Sequence, residues 1–348
     1  MLDSIDESVT VPDAPALPGL AFRHFRGPSD YAALAAVGND SREADDKEWV
    51  VSVEGLAAEF DHPLNMDPRR DMVIATIDGE MIGFGRGRWS VDVSGLYRYM
   101  LEVELLPERR GHGLRRALLH WLEAHMRPVA AEHPATAEKV FRVMAPETAA
   151  GMTALLRSEG YEPVRAYDLM TRSLEGPLPD FPMPPGLELR PVLPEHYRAI
   201  WDASQEAFLD HWGKSVHPEN AYQLFLSDPV TFTPQLWQVA WDTTTNEIAG
   251  QVRTFIDPFE NERLNRRLGY TESISVRRPY RRRGLARAMI AESLRVLKAQ
   301  GMTESALNVD SQNLSGAVRL YEDCGFRPAH RTLAYHKPLN TERGETSA

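Results

Sequence analysis

The run Arg277-Arg278-Pro279-Tyr280-Arg281-Arg282-Arg283-Gly284-Leu285-Ala286-Arg287 sets six arginines around one glycine. Its chemistry is anion binding, provided the run joins a strand to a helix. Tyr270 to Val276 alternates apolar and polar residues, which predicts the strand. Leu285, Met289, Ile290, Leu294 and Leu297 fall on one helical face, which predicts the helix. The first-turn amides of that helix have no internal partner and lie at the positive end of its dipole. Gly284 with Ala286 lets a diphosphate approach the backbone closely, and Arg281, Arg282 and Arg283 add charge around it.

Other groups in the same half of the chain could carry proton chemistry. By period-two counting Glu272 shares a strand face with Tyr270 and Ile274, and is either a general base or a surface carboxylate. Glu206-Ala-Phe-Leu-Asp210-His211-Trp212-Gly213 offers two carboxylates and an imidazole beside an indole. These could receive a cationic amine against the wall of Trp212, or form the solvated face of an amphipathic helix. Cys324 stands alone, without a catalytic histidine pattern beside it, and reads as a structural residue rather than a nucleophile.

Beyond the predicted helix, Ser305 to Val309 reads as a second strand. Asp310 to Asn313 reads as a turn, and about Leu314 to Asp323 as a helix ending at Gly325. Arg281-x-x-Gly284-x-Ala286 thus precedes Asn313-x-x-x-Ala317-x-x-Leu320-Tyr321-x-x-x-Gly325-Phe326. These linked motifs resemble the GCN5-related N-acetyltransferase (GNAT) superfamily. The resemblance implies acetyl-CoA as cosubstrate, its pyrophosphate held by the loop from Arg281 through Arg282, Arg283, Gly284, Leu285 and Ala286 to Arg287. It implies a splayed strand whose amides at Ile274, Ser275 and Val276 grip the pantetheine and acetyl group. Tyr321 would protonate the leaving thiolate, and Glu272 would act as base, directly or through water. A tyrosine hydroxyl lies about 1.5 pKa units above a thiol, so full proton transfer costs only roughly 2 kcal/mol before environment is counted. Asn313 would hydrogen-bond the cofactor or cap the following helix. The region of Glu206, Asp210, His211 and Trp212 borders the acceptor site in this family.

The chain also repeats itself. Leu20 to Phe25, a first strand, returns as Leu187 to Pro191; Gly79-Glu-Met-Ile-Gly83 returns as Asn246-Glu-Ile-Ala-Gly250; Gly160-Tyr-Glu-Pro163 returns as Gly325-Phe-Arg-Pro328. A repeat of about 165 residues is a duplicated domain rather than a solenoid. Asp71 to Gly85 predicts two strands around the Asp78-Gly79 turn. A helix is predicted over Ser29 to Val37, a strand over Tyr97 to Leu106, and a helix from Leu114 to about Met126. Ser173 to Gly186 is proline-rich and predicts a stiff connector. The expected organisation is a disordered leader (1–18), an N-terminal GNAT-like domain (19–175), a linker (176–186), a C-terminal domain (187–339) and a tail (340–348).

The two copies differ in chemistry. Setting the Pro107 turn against the Pro279 turn, with one more residue between proline and arginine in the first copy, places Arg110 on Arg281, Gly113 on Gly284 and Arg115 on Ala286. Leu101 then stands for Glu272, Leu156 for Tyr321 and Thr148 for Asn313. The first copy is therefore expected to be degenerate and the second catalytic, an arrangement resembling mycothiol synthase.

Composition bounds the rest. At 348 residues, 43% hydrophobic and 26% charged, the chain suits two globular domains. A formal charge of −11 argues against a nucleic-acid binder and is compatible with cationic acceptors. No apolar run approaches the roughly 20 residues that span a membrane. The N-terminus lacks a signal peptide's pattern, and no cysteine-histidine cluster points to a metal. The reading is a cytoplasmic α/β protein of two tandem domains, each a twisted, mixed, mostly antiparallel sheet flanked by helices. It would move an acetyl group from acetyl-CoA to a small-molecule primary amine, with no metal, nucleic-acid or membrane partner. The alternative is a non-catalytic CoA-binding module. A monomer acting as a pseudo-dimer and a homodimer both remain open.

Overall fold

The computed structural model describes residues 8–339 apart from Glu48, Glu219, Leu314 and Ser315. The expected tail and the first seven residues of the expected leader lie outside the described residues. The chain forms two compact units. One holds the chain up to Val164, Ser215–Ala221 and the stretch from Leu333; the other holds Arg165–Lys214 and Tyr222–Thr332.

In the first unit, β1 (Leu20–Arg23), β2 (Met72–Ile77), β3 (Glu80–Val91), β4 (Tyr97–Leu105) and β5 (Lys139–Pro146) lie side by side in that order. Every pairing is antiparallel except β4 with β5. Asp78 and Gly79 both take positive φ (50° and 89°), the conformation a tight hairpin between β2 and β3 requires. Four helices cover this sheet: α1 (Tyr31–Ala44), α2 (Val53–Asp61), α3 (Leu114–Ala131) and α4 (Ala150–Ser158). Met72 and Ile74 pack with α1 and α2, while Val73 and Ala75 pack with α3. Burial on both faces is why β2 reads as an unbroken apolar run rather than an alternating one. Helix α2 escaped the sequence reading, although Ser52 caps it by accepting from the Gly55 N–H. The described part of the leader is not free: Val9 donates to Phe22 O at 2.9 Å and Val11 is buried in the α3 cluster.

In the second unit the order is β7 (Leu187–Leu189), β8 (Gln238–Asp242), β9 (Ile248–Phe255), β10 (Leu268–Val276), β11 (Glu304–Asp310) and β6 (Glu162–Ser173), with β10–β11 the parallel pair. Its helices are α5 (Tyr197–Ala207), α6 (Ala221–Ser227), α7 (Pro258–Arg263), α8 (Leu285–Ala299) and α9 (Ala317–Asp323). The last strand, β12 (Arg327–Pro338), carries Tyr335, which is buried in the first unit's core. The proline-rich connector is not a bare spacer. Leu178, Phe181 and Met183 pack against the core that α8 builds with Met289 and Leu294. The compact units accordingly divide at Val164, ahead of the connector.

Candidate active site

Strand β10 parts from β11 after three paired residues, Leu268 to Tyr270 against Glu304 to Ala306. On its other edge β10 stays with β9 but slips one place: Glu272 faces Arg253, and Ser275 faces Gln251. The extra residue is absorbed at Ser273, whose φ is 50°. A bulge of this kind shifts the alternation by one. Ile274 and Val276 therefore pack with Leu285 and Met289, whereas Tyr270 packs with Phe255 and Ala306. Ala306 and its neighbour Leu307 divide between those two clusters, so the clusters lie on opposite faces of the sheet. The expectation that Glu272, Tyr270 and Ile274 share a face thus fails at Ser273. Gly250 makes the bulge possible, since a Cβ there would stand 2.7 Å from Ser275 O.

The Glu272 carboxylate reaches to where β11 has parted. Its Oε1 accepts from the Asn308 backbone N–H at 2.6 Å and from Asn308 Nδ2 at 2.9 Å. Burial raises its pKa above the ordinary glutamate value, opposed by those hydrogen bonds and by the charge of Arg253. Asn308 and Arg253 are partners the sequence reading missed. The only hint of Asn308 was a polar residue inside an apolar strand.

Tyr321 lies on α9, 8% exposed, among Leu285, Met289 and Cys324. Its hydroxyl makes no hydrogen bond among the described residues. Burial first, then the charge of Glu272, lifts its pKa far above that of an ordinary tyrosine. The phenol and the carboxylate therefore stand within electrostatic reach of one another. Cys324 is fully buried and its thiol is pushed up to about 11, which agrees with a structural role. Asn313 donates its backbone N–H to Asp310 O, while α9 begins at Ala317 behind Gly316. Asn313 is consequently not the cap of that helix.

The arginine-rich turn opens as a 3-10 turn over Arg278–Tyr280 and reaches α8 through left-handed Arg282 (φ 62°) and Gly284 (φ 88°). A Cβ at Gly284 would meet nothing within 4 Å, as at Gly113, so the glycine answers to φ rather than to crowding. Arg281 is fully engaged: Nε donates to Val276 O, Nη2 to Ala207 O, and Nη1 pairs with Asp210 at 2.8 Å. Arg283 donates to Pro185 O, and Arg287 pairs with Asp323. Exposed Arg282 makes no hydrogen bond or ion pair among the described residues.

The residues expected to receive an amine are differently employed. Glu206 pairs with Arg277, and Asp210 pairs with Arg278 and Arg281, whose hydrogen bonds hold its carboxyl well below the usual range. Trp212 lies under the Arg165 guanidinium, and His211 packs edge-on against Phe208. Both Asp210 oxygens are taken by guanidinium groups, whereas Glu206 meets Arg277 through Oε2 alone. Depressions of about 510 Å³ by Trp121 and His125, and of about 340 Å³ by Phe181 and Ala288, are lined by neither Glu272 nor Tyr321.

The first unit repeats the turn but carries leucines where the second has Glu272 and Tyr321. Its 3-10 turn covers Pro107–Arg109, so Pro107 stands where Arg278 does, one place from the Pro279 match read off the sequence. Leu101 and Leu156 are buried in core.

Among the described residues no group of three or more His, Cys, Asp and Glu side chains is placed to hold a metal ion. No described helix is long and apolar enough to cross a membrane. No curated protein matches the chain. Among solved structures it is similar to a GCN5-related N-acetyltransferase from Sphaerobacter thermophilus, at 25% identity and TM-score 0.70, covering 95% of this chain and 98% of that one. It is similar to a tandem GNAT protein from the clavulanic acid biosynthesis pathway, at 16% identity and TM-score 0.65, covering 92% and 99%. A GCN5-related glucosamine N-acetyltransferase region of a fungal multi-domain GH3 beta-N-acetylglucosaminidase shares 16% identity at TM-score 0.64, covering 93% of this chain and 39% of that one. The acetyltransferase (GNAT) family model matches residues 38–138 and again 197–326. With a doubled match across most of its length, a mixed sheet in each unit and one splayed, bulged strand, this chain belongs to the acetyltransferase (GNAT) family.

Proposed function

We propose that the second unit transfers an acetyl group from acetyl-CoA to a primary amine of a small molecule, and that the first unit is non-catalytic. One observation carries this reading: a carboxylate on the bulged, splayed strand before a left-handed glycine turn, and a phenol on the last described helix after it with no hydrogen bond among the described residues, lie within electrostatic reach. Likeness to an N-acetyltransferase over nearly the full length of both chains supports it.

The turn at Gly284 suits a diphosphate, with the amides of Leu285, Ala286 and Arg287 donating and Arg282 and Arg283 supplying charge. Arg281 shapes the turn from behind. Bound acetyl-CoA would supply the activated thioester. Ser275 N–H faces β9 in this register, so the N–H groups of Ile274 and Val276, on the edge that β11 has left, are the donors for the carbonyl oxygen as charge builds there. Glu272 takes a proton from the attacking amine; the new bond is C–N, the broken bond C–S. Tyr321 donates at the departing sulfur. Burial keeps that phenol protonated but makes it a weaker acid, so its O–H acts first as a hydrogen bond to the thiolate.

Thiol release from acetyl-CoA with a panel of amines tests the reading. Tyr321→Phe should bind CoA normally and turn over about 10² to 10⁴-fold more slowly. Equal turnover removes Tyr321 from the chemistry. CoA binding with no thiol release from any amine points instead to a non-catalytic module.

A further inference from the structure

Arg253 faces Glu272 across the strand pair but, among the described residues, holds no carboxylate, unlike most arginines around it. Arg165, Arg266, Arg277, Arg278, Arg287 and Arg331 each pair with a carboxylate. Arg253 pairs with none among the described residues. Its Nη2 donates to Ser273 Oγ at 2.7 Å, its Nε is buried without a partner, and its guanidinium lies 5.0 Å over the Phe225 ring. It projects from β9 directly across from Glu272. Glu272 and Asp228 act on it only from beyond ion-pairing distance.

A second cation in the unit is in the same condition. Lys214 Nζ donates to Gln205 Oε1 at 2.6 Å and stands 5.9 Å from the Phe208 ring centroid, with no carboxylate paired to it among the described residues. Burial lowers both groups, Arg253 to about 10 and Lys214 to about 8, and Lys214 also feels the charge of Arg253. The carboxylates that might have neutralised them, Glu206 and Asp210, are held by Arg277, Arg278 and Arg281. Desolvated cations without counterions are costly, and a bidentate anion on a guanidinium offsets that cost.

We infer that the amine acceptor carries an acidic group of its own, carboxylate or phosphate, which Arg253 and Lys214 bind while its amine faces Glu272. The inference rests on the acetyl-transfer reading above and narrows its substrate class. It predicts that an amine lacking the acidic group is a poor acceptor even when its length is right.

Length-matched pairs test it: β-alanine against 3-aminopropan-1-ol, and phosphoethanolamine against ethanolamine. Thiol release gives kcat and KM, and thermal shift in the presence of CoA gives binding independent of turnover. The acidic member of at least one pair should have a kcat/KM at least tenfold higher, the better pair showing whether carboxylate or phosphate is read. Arg253→Gln and Lys214→Gln should raise KM for that member at least tenfold and bring the ratio toward one, with partial recovery in Arg253→Lys. Equal use of both members, or an undiminished ratio in Arg253→Gln, overturns the inference and leaves acetyl transfer standing. Should no amine turn over while an acidic one stabilises the wild type but not Arg253→Gln, the anion site survives and the transfer reading falls. Neither turnover nor binding of the acidic amines overturns the inference as well.

Discussion

The two arginine-bearing turns have nearly one backbone and two different surroundings. Arg110 (φ −77°, ψ 164°) matches Arg281 (φ −68°, ψ 157°), Gly111 (φ 86°) matches Arg282 (φ 62°), and Gly113 (φ 84°) matches Gly284 (φ 88°). Each arginine clamps its turn to the end of the unit's first helix. Arg110 donates to Ser41 O and pairs with Asp45; Arg281 donates to Ala207 O and pairs with Asp210. The strands leading in are where the units diverge. Strand β4 keeps unbroken register with β3 through Leu101, whereas β10 carries the extra residue at Ser273. Arg115 also reaches Asp45 in the first unit, while Ala286 leaves that position open in the second. Turn geometry is thus scaffold common to both units, and the chemistry proposed above depends on the strand before it.

That contrast can be broken most sharply at the carboxylate. Glu272→Gln keeps an acceptor for the Asn308 amide but removes the base, so the rate should fall about 10² to 10⁴-fold with little loss of stability. Because burial raises the Glu272 carboxyl, the wild-type rate should decline as pH falls through a value above the ordinary glutamate range. Deprotonated carboxylate is the active form, so the sign is fixed. A pH–rate profile whose acid limb survives in Glu272→Gln would exclude it as base.

The glycines come next. Valine at Gly284 or at Gly113 forces a branched side chain to positive φ, costing roughly 1–2 kcal/mol in either unit. Chemical denaturation should show both losses, but only Gly284→Val should weaken CoA binding, by tenfold or more in equilibrium titration. Equal weakening would mean that the first turn binds CoA too.

Substituting the clamps should produce a matched pair. Arg110→Ala and Arg281→Ala each strand a helix-end carbonyl and should lower the melting temperature by similar amounts. A large drop in CoA affinity confined to Arg281→Ala would recast that residue as a phosphate ligand. The smallest effect is expected at Arg282, where the second unit carries a charge and the first has Gly111. Arg282→Gly should leave stability level or raise it by about 1 kcal/mol at most, read by chemical denaturation, since backbone strain is relieved. CoA affinity should drop a few-fold, and an unchanged affinity would remove Arg282 from the anion site.

Some of this was legible residue by residue. The Asp78-Gly79 turn announced a hairpin because few residues tolerate left-handed φ, and the helical face of Leu285, Met289 and Leu294 announced α8 by its spacing. The face of Glu272 was not legible, because counting by twos has no means of seeing an inserted residue. The placement of Arg253 was invisible for the same reason: only the register of β9 against β10 sets it across from Glu272. Glu206 and Asp210 looked free because their partners lie some seventy positions away, Asp210 being clamped by Arg281 across 71 residues.

The sequence by itself determined the duplication, the strand–turn–helix at Gly284, and the leucines that stand in the first copy for Glu272 and Tyr321. These follow from spacing and residue type, which act over a few positions along the chain. Tertiary structure alone decided which charges are spent on each other and which are left over. That outcome depends on strand register and on the bulge at Ser273, and pairing between distant segments is settled by packing rather than by any local pattern.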